Sequence, residues 1–100
     1  LILAEDSRPV GRWGRTYKRY LKEHHPARYQ ALLLSGRLNT YLADIDAQAE
    51  EQLELLTRQM AEREDVNEEL KAANQMEWVR RMNSIRNRAE ELVQNNLIFA

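Results

Sequence analysis

The sequence predicts an all-α protein organised around a long antiparallel hairpin of two helices, with two shorter helices at its N-terminal side. Apolar residues recur at helical spacing through most of residues 37–96. The chain has 100 residues, of which 52 are Ala, Glu, Lys, Leu or Arg, a composition typical of long helices. All three Gly and both Pro precede residue 37, so neither residue type interrupts the hairpin arms. We expect one domain spanning 1–100.

The two arms of the hairpin are predicted at about 37–65 and 67–96. In each arm the apolar residues lie mainly three or four positions apart, which places them on one face of a helix. The first stripe is formed by Leu38, Leu42, Ile45, Ala49, Leu53, Leu56 and Met60. The second is formed by Leu70, Trp78, Met82, Ile85, Ala89, Leu92 and Asn96.

The chain is predicted to reverse direction at residues 64–67. Acidic residues crowd this region, and Asn67 is a suitable N-cap for the second arm. One unbroken helix is the alternative. A reversal there pairs residues whose numbers sum to about 131, so Leu53 should face Trp78 and Ala49 should face Met82. The same register predicts a polar network of Asn83, Arg86 and Asn87 with Asp44 and Asp46.

The N-terminal third is predicted to contain an extended lead-in (1–10) and helices at about 11–23 and 26–35. The first helix should carry its aromatic and leucine side chains on one side, namely Trp13, Tyr17, Tyr20 and Leu21. This side could stack on nucleic-acid bases. We favour a different interpretation, in which it anchors the helix to the hairpin, because a small helical protein needs large side chains in its core.

Basic residues form the other side of this first helix and the segment before it. The candidate nucleic-acid contacts are Arg8, Arg12, Arg15, Lys18, Arg19 and Lys22. Residues 44–69 are the opposite in charge, with ten acids against two arginines. The basic residues are therefore expected either to stay solvated or paired with this acidic block, or to contact phosphates.

The residue content gives no support for catalysis or for a bound cofactor. We find no nucleophile with a neighbouring base, no paired catalytic acids and no glycine-rich phosphate loop, so we expect a protein that is not an enzyme. The chain has no Cys, and its two histidines, His24 and His25, are adjacent and point in different directions in a helix. We therefore expect no metal site, no cofactor and no small-molecule substrate. The longest purely apolar run, 31–34, is too short to cross a membrane.

Several segments resemble the TnpV family of small proteins encoded by bacterial transposons. The resemblance lies in residues 8–15 (RPVGRWGR), 20–24 (YLKEH), 32–36 (LLLSG), 42–46 (LADID), 77–83 (EWVRRMN) and 89–91 (AEE). It covers nearly the whole chain. It implies a cytoplasmic protein carried on a mobile element, with a short further segment before Leu1, and it supplies no catalytic or binding residues.

We therefore expect a non-enzymatic accessory protein of a bacterial transposon, acting as a helical interaction module that binds nucleic acid through its basic first helix. The alternative is an oligomerising or adaptor module that contacts only proteins. The expected partners are a second copy of the chain, nucleic acid or a transposition protein. Salt dependence of nucleic-acid binding distinguishes the two hypotheses.

Overall fold

The computed structural model describes residues 8–99, and this part of the chain is all-α, as predicted. Its elements are α1 (Arg12–His24), α2 (Pro26–Leu34), α3 (Leu38–Arg63), α4 (Glu68–Ala73), α5 (Gln75–Val93) and a π-helical segment (Gln94–Ile98). The predicted lead-in lies mostly outside the described residues, and its last three residues, 8–10, are not helical. Helix α3 packs against α1, α2 and α5, so it is the element on which the others assemble.

The apolar stripe predicted for the first arm lies in the core. Leu38, Leu42, Ile45, Ala49 and Leu53 are all buried, and Leu56 and Met60, the last two members of the stripe, are half-buried. The spacing of three and four residues therefore identified the buried face of α3.

Helix α3 ends where the sequence predicts a reversal, through a specific C-terminal cap. The Val66 amide donates to the Ala61 carbonyl at 2.8 Å, and the Glu64 amide donates to the Met60 carbonyl at 3.0 Å. Asp65 lies between them with φ of 56°, in the left-handed region that usually ends such a cap. Val66 is buried, so the cap also closes over an apolar contact.

The second arm is not one helix, and this part of the prediction was wrong. Asn67 caps α4 as expected, accepting from the Leu70 amide at 3.0 Å. Asn74 then breaks the arm, with φ and ψ of −153° and 89°, and its side chain accepts from the Glu77 amide at 3.2 Å. An Asn side chain that bonds to the backbone competes with helix continuation. Asn74 therefore starts a new helix where periodicity alone predicted an unbroken one.

The break changes how the second arm packs. Helix α4 packs on α5 rather than on α3, with Lys71 Nζ lying 4.7 Å from the ring centroid of Trp78. Arg88 forms hydrogen bonds of 2.8 and 2.9 Å with the Glu64 carboxylate. The predicted register placed Arg88 beside Ala43, near the other end of α3, so the sum of 131 does not describe the pairing at this position.

The buried face of the second arm also differs from the prediction near its end. Ile85 and Ala89 are fully buried as expected, but Leu92 is 42% exposed and Asn96 is exposed. Val93 and Ile98 are buried in their place. The five-residue step between these two residues spans the π-helical segment, in which the Phe99 amide donates to the Gln94 carbonyl. This wider turn rotates the last apolar side chains towards the core.

Candidate nucleic-acid interface

The aromatic side of α1 anchors this helix to α3, as we favoured from the sequence. Trp13, Tyr17 and Leu21 are 2%, 7% and 0% exposed and belong to the same core as the stripe of α3. The indole nitrogen of Trp13 donates to Glu50 Oε1 at 2.9 Å, so the ring is both packed and hydrogen-bonded. These residues are consequently not available to stack on bases, and the exposed side of α1 is the basic one.

The N-terminus of α1 is held by a carboxylate from α3. No side chain of α1 caps this terminus, and the Gly14 amide instead donates to Asp46 Oδ1 at 3.0 Å. The two helices approach closely, because a Cβ atom built on Gly11 would lie 2.8 Å from Asp46 Oδ2. A negative charge at a helix N-terminus is favourable. Gly11, Gly14 and Asp46 therefore fix the position of α1, and with it the direction of its basic face.

Two of the six candidate cations are paired with the protein's own acids. Arg8 Nη2 lies 2.7 Å from Asp44 Oδ1. Arg12 Nη2 lies 3.1 Å from Glu90 Oε1, and its Nε lies 4.0 Å from Glu50 Oε1. The Arg12 guanidinium carbon also lies 4.7 Å from the centroid of the Trp13 ring. These two arginines connect the start of α1 to α3 and α5, which agrees with the self-neutralising interpretation for this part of the basic face.

Of the other four candidate cations, Arg15, Arg19 and Lys22 are exposed on the outer side of α1. Lys18 lies at the edge of this side, half-buried near α2 and the start of α3. Arg15 and Arg19 are exposed one helical turn apart, and Lys18 and Lys22 flank them. None of the four forms an ion pair with a described residue. We call Arg15, Lys18, Arg19 and Lys22 the outer basic face. It differs from the predicted site only by the loss of Arg8 and Arg12.

The polar network predicted between the hairpin arms is replaced by contacts with α1 and with Arg8, which precedes it. Asn83, Arg86 and Asn87 are exposed. The two aspartates predicted to be their partners contact Arg8 and Gly14 instead. The sequence prediction failed here because it paired α3 only with the second arm, whereas α1 covers that part of α3.

Sequence reasoning also missed a partly buried polar contact that joins α1, α2 and α3. Arg28 Nη2 donates to the Tyr41 hydroxyl at 2.8 Å, and the Tyr41 and Tyr17 hydroxyls lie 3.4 Å apart. Burial, followed by the hydrogen bond with Tyr41, raises the pKa of Tyr17 to about 12. Local sequence patterns could not predict this contact, because Tyr17, Arg28 and Tyr41 come from three different helices, α1, α2 and α3.

The raised pKa of Tyr17 predicts a loss of stability in strong base. The unfolded state ionises Tyr17 near pH 10 and the folded state only near pH 12, so the stabilising contribution is complete below pH 10 and falls as pH rises between these values. Urea unfolding followed by circular dichroism between pH 8 and 12 should show this fall, and Tyr17→Phe should reduce it. An equally steep fall in the Phe variant would show that other groups cause it.

The two histidines have an aromatic rather than a metal-binding environment. The Tyr20 ring centroid lies 4.8 Å from that of His24, 5.5 Å from that of His25 and 5.3 Å from that of Phe99. Among residues 8–99, no group of three or more His, Asp or Glu side chains is placed to hold a metal ion. In the same range, no helix has the length and apolar character that crossing a membrane requires.

These features define a small all-α protein whose first helix is fixed by its aromatic side and presents basic residues outward. The chain belongs to a family of transposon-encoded proteins: the family model described as "Transposon-encoded protein TnpV" matches residues 1–98. Comparisons with curated proteins and with solved structures found no match.

Proposed function

We propose that this protein is a non-enzymatic accessory protein of a bacterial transposon, acting in the cytoplasm, that contacts nucleic-acid phosphates through the outer basic face of α1. The family gives the association with a transposon. The observation that carries the proposed contact is the division of α1 into two sides. One side is buried on α3, and the other presents four cations that no described acid neutralises.

The geometry supports phosphate contacts rather than base reading. Two of the three aromatic side chains of α1, Trp13 and Tyr17, are less than one tenth exposed. The third, Tyr20, is half-buried, and its ring centroid lies 5.3 Å from that of Phe99. Arg15, Arg19 and Lys22 have flexible side chains along one line of the helix, which suits the repeating charges of a backbone. Binding should therefore depend weakly on sequence and strongly on salt.

Salt dependence tests the proposal quantitatively. Four phosphate contacts predict that the logarithm of the binding constant falls with the logarithm of salt concentration with a slope of about −3.6 for duplex DNA. Fluorescence anisotropy with a labelled duplex between about 50 and 200 mM salt measures this slope. A slope near zero, or no binding at the lowest salt, would contradict the proposal.

A charge-reversal variant locates the contact. Arg15→Glu, Arg19→Glu and Lys22→Glu together should weaken binding at low salt by more than about tenfold, because three phosphate contacts become repulsive. The matched control is Arg58→Glu, Arg63→Glu and Arg80→Glu, which changes the net charge equally on exposed positions of α3 and α5. Helix content by circular dichroism should stay unchanged in both variants. Equal weakening by the control would show that only net charge matters and that α1 is not the interface.

A further inference from the structure

A groove with an apolar floor and an acidic rim lies between α3 and the second arm. Its volume is about 950 Å³, and Leu53, Val66, Trp78 and Met82 contribute its apolar surface. Leu53 and Val66 are buried, whereas Trp78 and Met82 are only half-buried. The tryptophan predicted from the sequence to be a core residue therefore also forms the wall of an open groove.

The rim of the groove is strongly acidic. Its lining contains five glutamates and only two basic residues, Arg58 and Arg86. The glutamates are Glu50, Glu51, Glu54, Glu62 and Glu68. Of the two arginines, Arg58 lies 3.9 Å from Glu54. Glu50 also accepts from Trp13 and lies near Arg12. The other glutamates still leave a negative rim that would attract a cationic partner.

A polar group inside the groove is also left without a partner. Thr57 Oγ1 is buried and has no hydrogen-bond partner in the described chain, although Thr57 lines the groove. A buried polar atom in a native protein usually has a hydrogen-bond partner. Because this atom is covered in the unbound chain, a bound segment supplies the partner only if the Thr57 side chain rotates towards the groove.

We propose that this groove binds a basic amphipathic helix of another protein. The lining residues of α3 extend from Glu50 to Glu62, a length of about 18 Å, which corresponds to roughly three turns of a bound helix. Such a helix places apolar side chains at i, i+3, i+4 and i+7 on the floor and its Lys or Arg residues against the glutamate rim. The occupant thus needs an apolar side and a cationic side on one helix.

A second copy of this chain meets that requirement poorly. Its most basic helix is α1, and the apolar side of α1 is already buried through Trp13, Tyr17 and Leu21. Docking α1 of one copy in the groove of another would supply charge without the apolar contacts. The groove chemistry therefore favours a different protein, and this site is independent of the outer basic face.

The test uses the full chain and a labelled amphipathic peptide of about 18 residues (~27 Å), with Leu at i, i+3, i+4 and i+7 and Lys elsewhere. A counter-peptide keeps the Leu residues and replaces each Lys with Glu. Anisotropy titrations should show the Lys peptide binding at least about tenfold more tightly than the Glu peptide at low salt. This difference in affinity should become smaller at high salt. Equal binding of the two peptides, or binding of neither, would overturn the proposal.

Variants then place the peptide in the groove. Trp78→Ala should weaken binding of the Lys peptide by at least about tenfold, as expected for an aromatic anchor. Because that change could also disturb the fold, Glu51→Gln with Glu54→Gln provides a second variant at exposed positions, and it should weaken binding several-fold. Glu23→Gln with Glu91→Gln is the matched control outside the groove lining and should bind as the unmodified chain does.

Two results would show that the groove has a different role. One is loss of peptide binding when Arg15 and Arg19 are changed to Glu, because these residues lie outside the groove. The other is a dimer detected by light scattering that Glu51→Gln with Glu54→Gln dissociates, because a second copy would then be the occupant. Unchanged peptide binding in the α1 variant, together with a monomer, supports the proposal and leaves the test of nucleic-acid binding separate.

Discussion

Replacing Trp13 with alanine is expected to lower the free energy of unfolding by about 3–5 kcal/mol. The side chain is 2% exposed and packs α1 on α3, so its removal leaves a large cavity between two helices. The change also removes the hydrogen bond from the indole to Glu50. A domain of this size has a total stability of about 5–15 kcal/mol. The variant should therefore unfold at a much lower urea concentration, measured by circular dichroism at 222 nm.

The second tryptophan provides a matched control for this prediction. Trp78 is only half-buried and lines the open groove, so Trp78→Ala removes less buried surface and should cost about 1–2 kcal/mol. Equal destabilisation by the two substitutions would contradict the anchoring role assigned to α1. A Trp13→Phe variant should lie between Trp13→Ala and the unmodified chain, because it keeps most of the ring but loses the bond to Glu50.

The parts of the fold that sequence reasoning predicted are those that local periodicity determines. The stripe from Leu38 to Leu53 is buried because its spacing of three and four residues leaves one continuous apolar face on α3. The same reasoning identified the aromatic side of α1. The ends of the helices followed from local chemistry as well, since Asn67 caps α4 and the acidic segment after Arg63 ends α3.

The parts that sequence reasoning missed depend on contacts between distant segments. Asn is a residue type that often caps helices, but the apolar stripe around Asn74 does not indicate that the helix stops there. The choice between Leu92 and Val93 for burial follows from the packing of α5 and the π-helical segment against α1 and α3. Both residues continue the spacing from Ala89 acceptably, so periodicity could not decide between them.

The candidate site was predicted in part for the same reason. The basic face of α1 follows from its own sequence, so Arg15 and Arg19 lie where the helical pattern places them. The positions of the acids of α3 and α5 decide which cations form ion pairs. Arg8 pairs with Asp44 of α3, and Arg12 pairs with Glu90 of α5. The groove beside Trp78 was missed entirely, because it exists only where the packing of two helices leaves a space.

Replacing Gly14 with alanine should destabilise the protein by about 1–3 kcal/mol, even though alanine favours helices by about 1 kcal/mol over glycine. A Cβ atom at this position would overlap the side chain of Val10 and lie 2.9 Å from the carbonyl oxygen of Leu42. The Val10 side chain can rotate, but the Leu42 carbonyl belongs to α3 and cannot move alone. Helix α1 would therefore have to shift, which weakens the bond between the Gly14 amide and Asp46.

Two further variants separate the close approach from helix propensity. Ala47→Gly, at an exposed position of α3, should cost about 1 kcal/mol through propensity alone. Val10→Ala combined with Gly14→Ala removes the Val10 overlap but leaves the Leu42 carbonyl, so stability measured by urea unfolding should stay below that of Val10→Ala alone. A Gly14→Ala protein more stable than the unmodified chain would show that α1 and α3 are not held this close in solution. The expected loss of stability would show that Gly14 is required, because only a residue without a side chain lets the carboxylate of Asp46 reach the start of α1. This contact sets the orientation of the outer basic face.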